Sequence, residues 1–281
     1  MQDGPKVSSE MLKQAALFFC ALTSATPGLA SHVKYQMDCD LGKGAPQSQK
    51  TEGYLVTLTP SSGSCQVKVL DPQGKTLFEY DAGGIQVFIG LGVTTDGTPN
   101  AVIQADTFDP FRLFIVSLGE HSKLLATIEN QYGFWLQDDC GGRIRIWTAD
   151  GAFSKYHDLD DAYHKDLFTP EVVFEIQNGR LVDATPGCRE YFDKEISSLR
   201  STLTENDVKN FRSGRITDDF HRGRVKEKIL KMVFDYLYTD RQQSAREILQ
   251  QMWPSDDSER LWQSILKLRS EGILTNINRV H

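Results

Sequence analysis

The hydrophobic period of this chain changes once, at Pro186-Gly187, and that change constrains the fold more than any other feature of the sequence. Before it, β-branched and apolar runs alternate with breaks made of Gly, Pro, Asn or Asp. The runs fall at 54–59, 65–70, 75–80, 85–89, 101–104, 112–118, 123–129, 143–148, 171–176 and 180–183, each four to seven residues long. Short runs punctuated in this way read as antiparallel strands, because branched and aromatic side chains suit a pleated surface while Gly, Pro, Asn and Asp suit turns. No helical period intervenes, which argues against a parallel, doubly wound sheet. After Pro186-Gly187 the spacing becomes helical. Tyr191, Ile196 and Leu199 suggest a first helix, and Thr204 with Asp207 reads as an N-cap with an acidic first turn. A longer helix is expected over 218–238, where Val225, Ile229, Met232, Val233, Tyr236 and Leu237 share one face. Asp240 opens another helix bearing Ala245, Ile248, Leu249 and Met252, which Pro254 stops. Ser255 is expected to cap the last helix, with Leu261, Trp262, Ile265 and Leu268 as its inner stripe and Gly272 at its end. The expected fold class is α+β with segregated domains: an antiparallel all-β domain over 31–187 and an all-α helical-hairpin domain over 188–281.

The first thirty residues belong to neither pattern. Lys13 precedes the uncharged apolar run 15–25, and Gly28 and Ala30 stand at positions −3 and −1 of a cut before Ser31. Charge, apolar run and small-x-small site together make a secretory signal peptide, with Met11 an alternative start. The apolar run is eleven residues, whereas a spanning helix needs about 20. The mature chain is therefore expected to begin at Ser31, to carry no transmembrane segment, and to be periplasmic or secreted. Removing 1–30 also removes Cys20 and leaves Cys39, Cys65, Cys140 and Cys188. Four cysteines in an exported chain imply two disulfides with three possible connectivities. The expected one is Cys39–Cys65, which would hold the N-terminal arm to the first hairpin, with Cys140–Cys188 tying a turn to the junction of the two parts. No CxxC occurs, which disfavours redox catalysis and a zinc ribbon. Residues 1–187 carry 14 basic and 23 acidic side chains, and 188–281 carry 17 and 15. Neither balance is that of a nucleic-acid footprint. The basic run 222–228 reads as the solvated face of a helix, since Val225 and Ile229 take its inner side.

Two stretches of the β part look alike. Thr95-Asp-Gly-Thr-Pro-Asn-Ala-Val-Ile-Gln104 and Asp138-Asp-Cys-Gly-Gly-Arg-Ile-Arg-Ile-Trp147 each run from an Asp/Gly loop into a short strand, and Gly97 and Gly142 are 45 residues apart. A unit of that length suits a four-stranded propeller blade. Over about 88–185 the residues resemble the FG-GAP/VCBS family of β-propeller repeats, whose acidic loops precede an apolar strand. The resemblance implies a propeller-blade-like domain, and a sandwich is the alternative. It also implies calcium loops, but Gly92 and Thr94 occupy acidic positions of the first loop, and Arg145 stands where the second should end in a ligand. Residues 157–166 keep Asp158, Asp160 and Asp166 at relative positions 1, 3 and 9, with Ala162 at position 5. Calcium takes six to eight oxygens, so at most weak calcium binding is expected at Asp158, Asp160 and Asp166. No other cofactor is expected. The helical part is loosely similar to tetratricopeptide-like hairpins, without a repeated 34-residue signature.

The sequence assigns no catalytic residue. HExxH, GxSxG and Walker motifs are all absent from it. The aromatics Phe108, Phe111, Phe114, Tyr132, Phe134, Trp135 and Trp147 are expected to fill the core. The expected function is that of an exported bacterial binding or interaction protein with a protein partner on its helical part. The alternative is a metal-dependent hydrolytic enzyme using His157, Asp158, Asp160, Asp161, His164 and Asp166.

Overall fold

The computed structural model describes residues 35–90, 92–107, 110–138, 140–155, 169–275 and 277. The signal peptide 1–30 and the acidic segment 157–166 lie outside the described residues. The β part forms three antiparallel sheets. The first contains β1 (Tyr35–Asp40), β6 (Gly84–Ile89), β7 (Asn100–Asp106), β8 (Phe111–Ser117) and β9 (Leu124–Asn130), in that spatial order. The second is a meander of β2 (Gln47–Thr51), β3 (Tyr54–Ser61), β4 (Ser64–Leu70) and β5 (Thr76–Ala82). The third is a meander of β10 (Trp135–Gln137), β11 (Arg145–Ala149), β12 (Glu171–Gln177) and β13 (Arg180–Asp183). Five helices follow: α1 (Arg189–Ser201), α2 (Glu205–Arg212), α3 (Asp219–Tyr238), α4 (Gln242–Met252) and α5 (Ser258–Glu271). The expected order, antiparallel sheets and then helices, is the observed one.

The central strands of the first sheet, β6, β7 and β8, are buried on both faces. Along β7, Ala101, Ile103 and Ala105 join Val56, Leu58, Val67 and Val69 of the second sheet in one core. Val102, one residue out of phase, joins Ile146 and Phe174 of the third sheet in another. Successive strand side chains point to opposite faces, so a strand covered on both sides must be apolar throughout. This is why Ala101-Val-Ile-Gln-Ala105 does not alternate. Its one polar member, Gln104, is buried and accepts a hydrogen bond from the Phe134 amide at 2.8 Å, joining first sheet to third. Residues 93–95 add to the third sheet: Thr95 N donates to Ile176 O at 3.0 Å and Ile176 N to Val93 O at 3.2 Å.

Three strands go beyond the sequence reading. In β1 only Met37 and Cys39 face inward, so its apolar content is low, and its place is set by pairing with β6, far along the chain. β2 buries only Thr51, and β10 is three residues long. Two helix starts also differ. Asp240 is left-handed, with φ 59°, and α4 begins after Arg241. Pro254 O accepts from the Asp257 and Ser258 amides, so a turn occupies 254–257 and Asp257, not Ser255, precedes α5. Thr204 does cap α2 as expected. Its hydroxyl accepts from the Asp207 amide while the Asp207 carboxylate accepts from the Thr204 amide, both at 3.1 Å, which satisfies two N–H groups that the helix cannot.

Both cysteine pairs stand at disulfide distance. Cα separations are 6.0 Å for Cys39–Cys65 and 5.1 Å for Cys140–Cys188. The first pair joins β1 to β4, hence first sheet to second. The second joins the turn before β11 to the residue that precedes α1. Among the described residues no helix is long and apolar enough to cross a membrane.

The helices lie on the sheets rather than apart from them. A single apolar cluster runs from Leu113 and Ile128 through Phe174 and Ile176 to Ile229, Val233, Leu249 and Ile265. At its centre the C-terminal half of α3, residues 229–238, is buried almost all round, and Phe153 of the turn Gly151–Lys155 meets Phe234 with ring centroids 4.9 Å apart.

Candidate functional site

Asp158, Asp160 and Asp166, with the rest of the His/Asp segment, lie outside the described residues. Among the described residues no group of three or more His, Cys, Asp or Glu is placed to hold a metal ion. Arg145, which departs from the acidic-loop pattern, pairs with Glu175 of β12 at 3.4 Å, and Asp139 is outside the described residues. Trp147 is fully buried against Tyr191, ring centroids 4.9 Å apart, and Phe114 packs between Phe78 and Tyr80. These rings fill the core.

Two buried carboxylate sites escape sequence reasoning. The first is Asp150, fully buried after β11. Its Oδ2 accepts from the Tyr238 hydroxyl at 2.7 Å, and its Oδ1 from the amides of Ala152 at 3.1 Å and Ile273 at 3.2 Å. Burial raises the Asp150 pKa, and these donors oppose the rise. The Tyr238 hydroxyl is also pushed up, by burial and by Asp150. A Cβ at position 272 would lie 2.1 Å from Asp150 Oδ2, so Gly272 is required by this close approach. The node pins the end of α5 to the end of β11.

The second site lies where α3 crosses the third sheet. Asp235 is 3 % exposed. Around it are Lys231 of the same helix, Glu171 of β12, Glu195 of α1, and Arg241 after α3. Lys231 Nζ lies 3.6 Å from Glu195 Oε2, while Asp235 Oδ2 and Glu171 Oε2 are buried without a hydrogen-bond partner. Burial pushes the Asp235 carboxyl up to about 8, opposed by Lys231 and reinforced by Glu171 and Glu195. Glu171 is raised as well, again first by burial. Burial pulls the Lys231 ammonium down, but the surrounding carboxylates outweigh it and leave it above its ordinary value. Lys231 and Arg241 both favour the charged carboxylate, but burial and the neighbouring Glu171 and Glu195 outweigh them, so Asp235 is the group in this site that keeps its proton at neutral pH. The sequence signal is a lone acid inside the apolar run Met232-Val-Phe-Asp-Tyr-Leu237.

The third place is open to solvent. A groove of about 840 Å³ lies between the C-terminal ends of α1 and α4 and the outer face of α2. Leu203, Val208 and Met252 line it with half-buried apolar surface, and Arg200, Lys209 and Arg212 are exposed around them. Glu205 also lines it. The α2 contribution follows from helical spacing, since residues 205, 208, 209 and 212 fall on one face. None of the three cations has an ion-pair partner among the described residues. This surface could hold a ligand by apolar contact and charge, without bond-making chemistry. No family model, no curated protein and no solved structure matches the chain.

Proposed function

We propose that this chain is an exported bacterial interaction protein, in which a disulfide-tied β body carries a helical layer that receives a protein partner. The observation that carries this reading is the groove between α1, α2 and α4, where apolar side chains and cations without ion-pair partners meet on one open surface. Apolar surface rimmed by polar residues is typical of binding grooves. Export is supported by the signal-peptide pattern of residues 11–30 and by two cysteine pairs at bonding distance, since such pairs persist in oxidising compartments. The FG-GAP/VCBS resemblance of residues 88–185 supports a binding role in the same direction. A photo-crosslinking side chain at Gln251, on the groove, should give a discrete higher-mass adduct in the producing cells, and one at Gln66, on the second sheet, should give none. Adducts at Gln66 alone would refute the reading.

A further inference from the structure

We infer that the groove between α1, α2 and α4 takes an acidic, amphipathic peptide segment of the partner protein. This rests on the interaction reading and specifies the partner's chemistry. The segment's apolar side chains would lie on Leu203, Val208 and Met252, and its carboxylates would meet Arg200, Lys209 and Arg212.

Charge complementarity is the first argument. Several cations elsewhere on the helices are matched with carboxylates, Arg222 with Asp219 at 2.7 Å, Arg246 with Glu259 at 2.9 Å and Arg269 with Asp240 at 3.4 Å, and what sets the groove apart is that its cations gather around one apolar surface. In the groove three cations face a single carboxylate, Glu205. Three like charges gathered on one surface repel one another, and an acidic ligand relieves that repulsion. The apolar lining is the second argument. Leu203 and Met252 pack on the main core with one side and remain partly exposed on the other. A ligand that only neutralised charge would leave this surface wet, whereas apolar side chains on an acidic segment cover it. The volume, about 840 Å³, is that of a site for a few side chains rather than a whole domain. The third argument separates a peptide from a nucleic acid. Residues 31–187 carry 21 acidic against 12 basic side chains, so a long polyanion leaving the groove would meet a body of its own sign. A short acidic segment stays within the basic patch.

The test uses the mature full-length protein and two short fluorescein-labelled peptides. Both have Leu at helical 3–4 spacing, one with Glu and the other with Lys at all remaining positions. Anisotropy at low salt should show the Glu peptide binding at least about tenfold more tightly than the Lys peptide, with the difference shrinking as salt is added. The double variant Arg200→Glu/Arg212→Glu should reverse that preference. Arg200→Gln/Arg212→Gln, which leaves no new like-charge contact, should weaken the Glu peptide without strengthening the Lys peptide. These side chains are exposed, so circular dichroism should report a native spectrum and a single cooperative melt in both variants, shifted only slightly by the changed charge at two helix C-termini. Equal binding of the two peptides overturns the inference. So does undiminished Glu-peptide affinity in the double Glu variant, or tighter binding of a single-stranded oligonucleotide than of the Glu peptide. Failure of the peptides while the Gln251 crosslink persists removes the acidic segment and leaves the interaction reading standing.

Discussion

At the residue scale the buried carboxyl of Asp235 carries the clearest consequence. Its unfolded pKa is near 4, and its folded pKa is pushed up to about 8, chiefly by burial. Between those values the folded chain holds a proton that the unfolded chain has released. The stability this contributes is complete below about pH 4 and is lost as pH rises through the folded value, so stability falls from pH 5 to pH 8. The groups facing it are Lys231 on its own helix, Glu171 from β12, Glu195 from α1 and Arg241 beyond α3. Glu171, Asp150 and Asp183 are also raised by burial and act in the same direction. Asp235→Asn removes the ionisation but keeps the shape. The variant should gain on the order of a few kcal/mol relative to wild type between pH 5 and pH 8, giving a flatter profile in urea unfolding. A parallel pair of profiles would show that Asp235 does not titrate in this window.

At the element scale, pairing across long sequence separations sets the arrangement. β1 is held by β6 on one side and by Cys39–Cys65 to β4. Cys140–Cys188 spans 48 residues and fixes the start of α1, with its Phe192, beside Trp147. Cross-linking removes conformational freedom from the unfolded chain, by about 2–4 kcal/mol for loops of this size. Cys140→Ser/Cys188→Ser should therefore lower unfolding free energy by about 2–4 kcal/mol, read as an earlier denaturant midpoint with native circular dichroism retained in water. A midpoint equal to that of wild type would mean the pair does not constrain the chain. The α2 capping box was legible in Thr204 and Asp207 because a cap is local, its partners three residues apart. The low-apolar strands β1 and β2 were not, because their place comes from the strands they pair with.

At the scale of the whole molecule, sheets and helices share one apolar cluster. Val102 and Ile128 of the first sheet, Phe174 of the third, and Ile229 and Val233 of α3 belong to it. The Asp150–Tyr238 hydrogen bond and the Phe153–Phe234 ring contact cross the same boundary. A fragment of residues 188–281 with Cys188→Ser would expose the face of α3 that the sheets cover. Its thermal unfolding should be broad and start below that of the intact chain, followed by circular dichroism. A sharp transition at the intact protein's melting temperature would show that the helices fold without the sheets.

What the sequence determined by itself is what depends on neighbours along the chain. The change of period at Pro186-Gly187 set strands before and helices after, because side-chain direction repeats every two residues in one and every 3.6 in the other. Turn residues marked most strand ends, and four cysteines in a chain read as exported implied two pairs. Tertiary structure alone decided how the strands divide among three sheets, since the hydrophobic pattern of a strand does not name its partner. It also decided that Asp235 and Glu171 meet in the interior, and that Arg200, Lys209 and Arg212 gather from two helices around an apolar floor. Burial and charge pairing depend on which distant residues become neighbours, and that is settled only when the chain has folded.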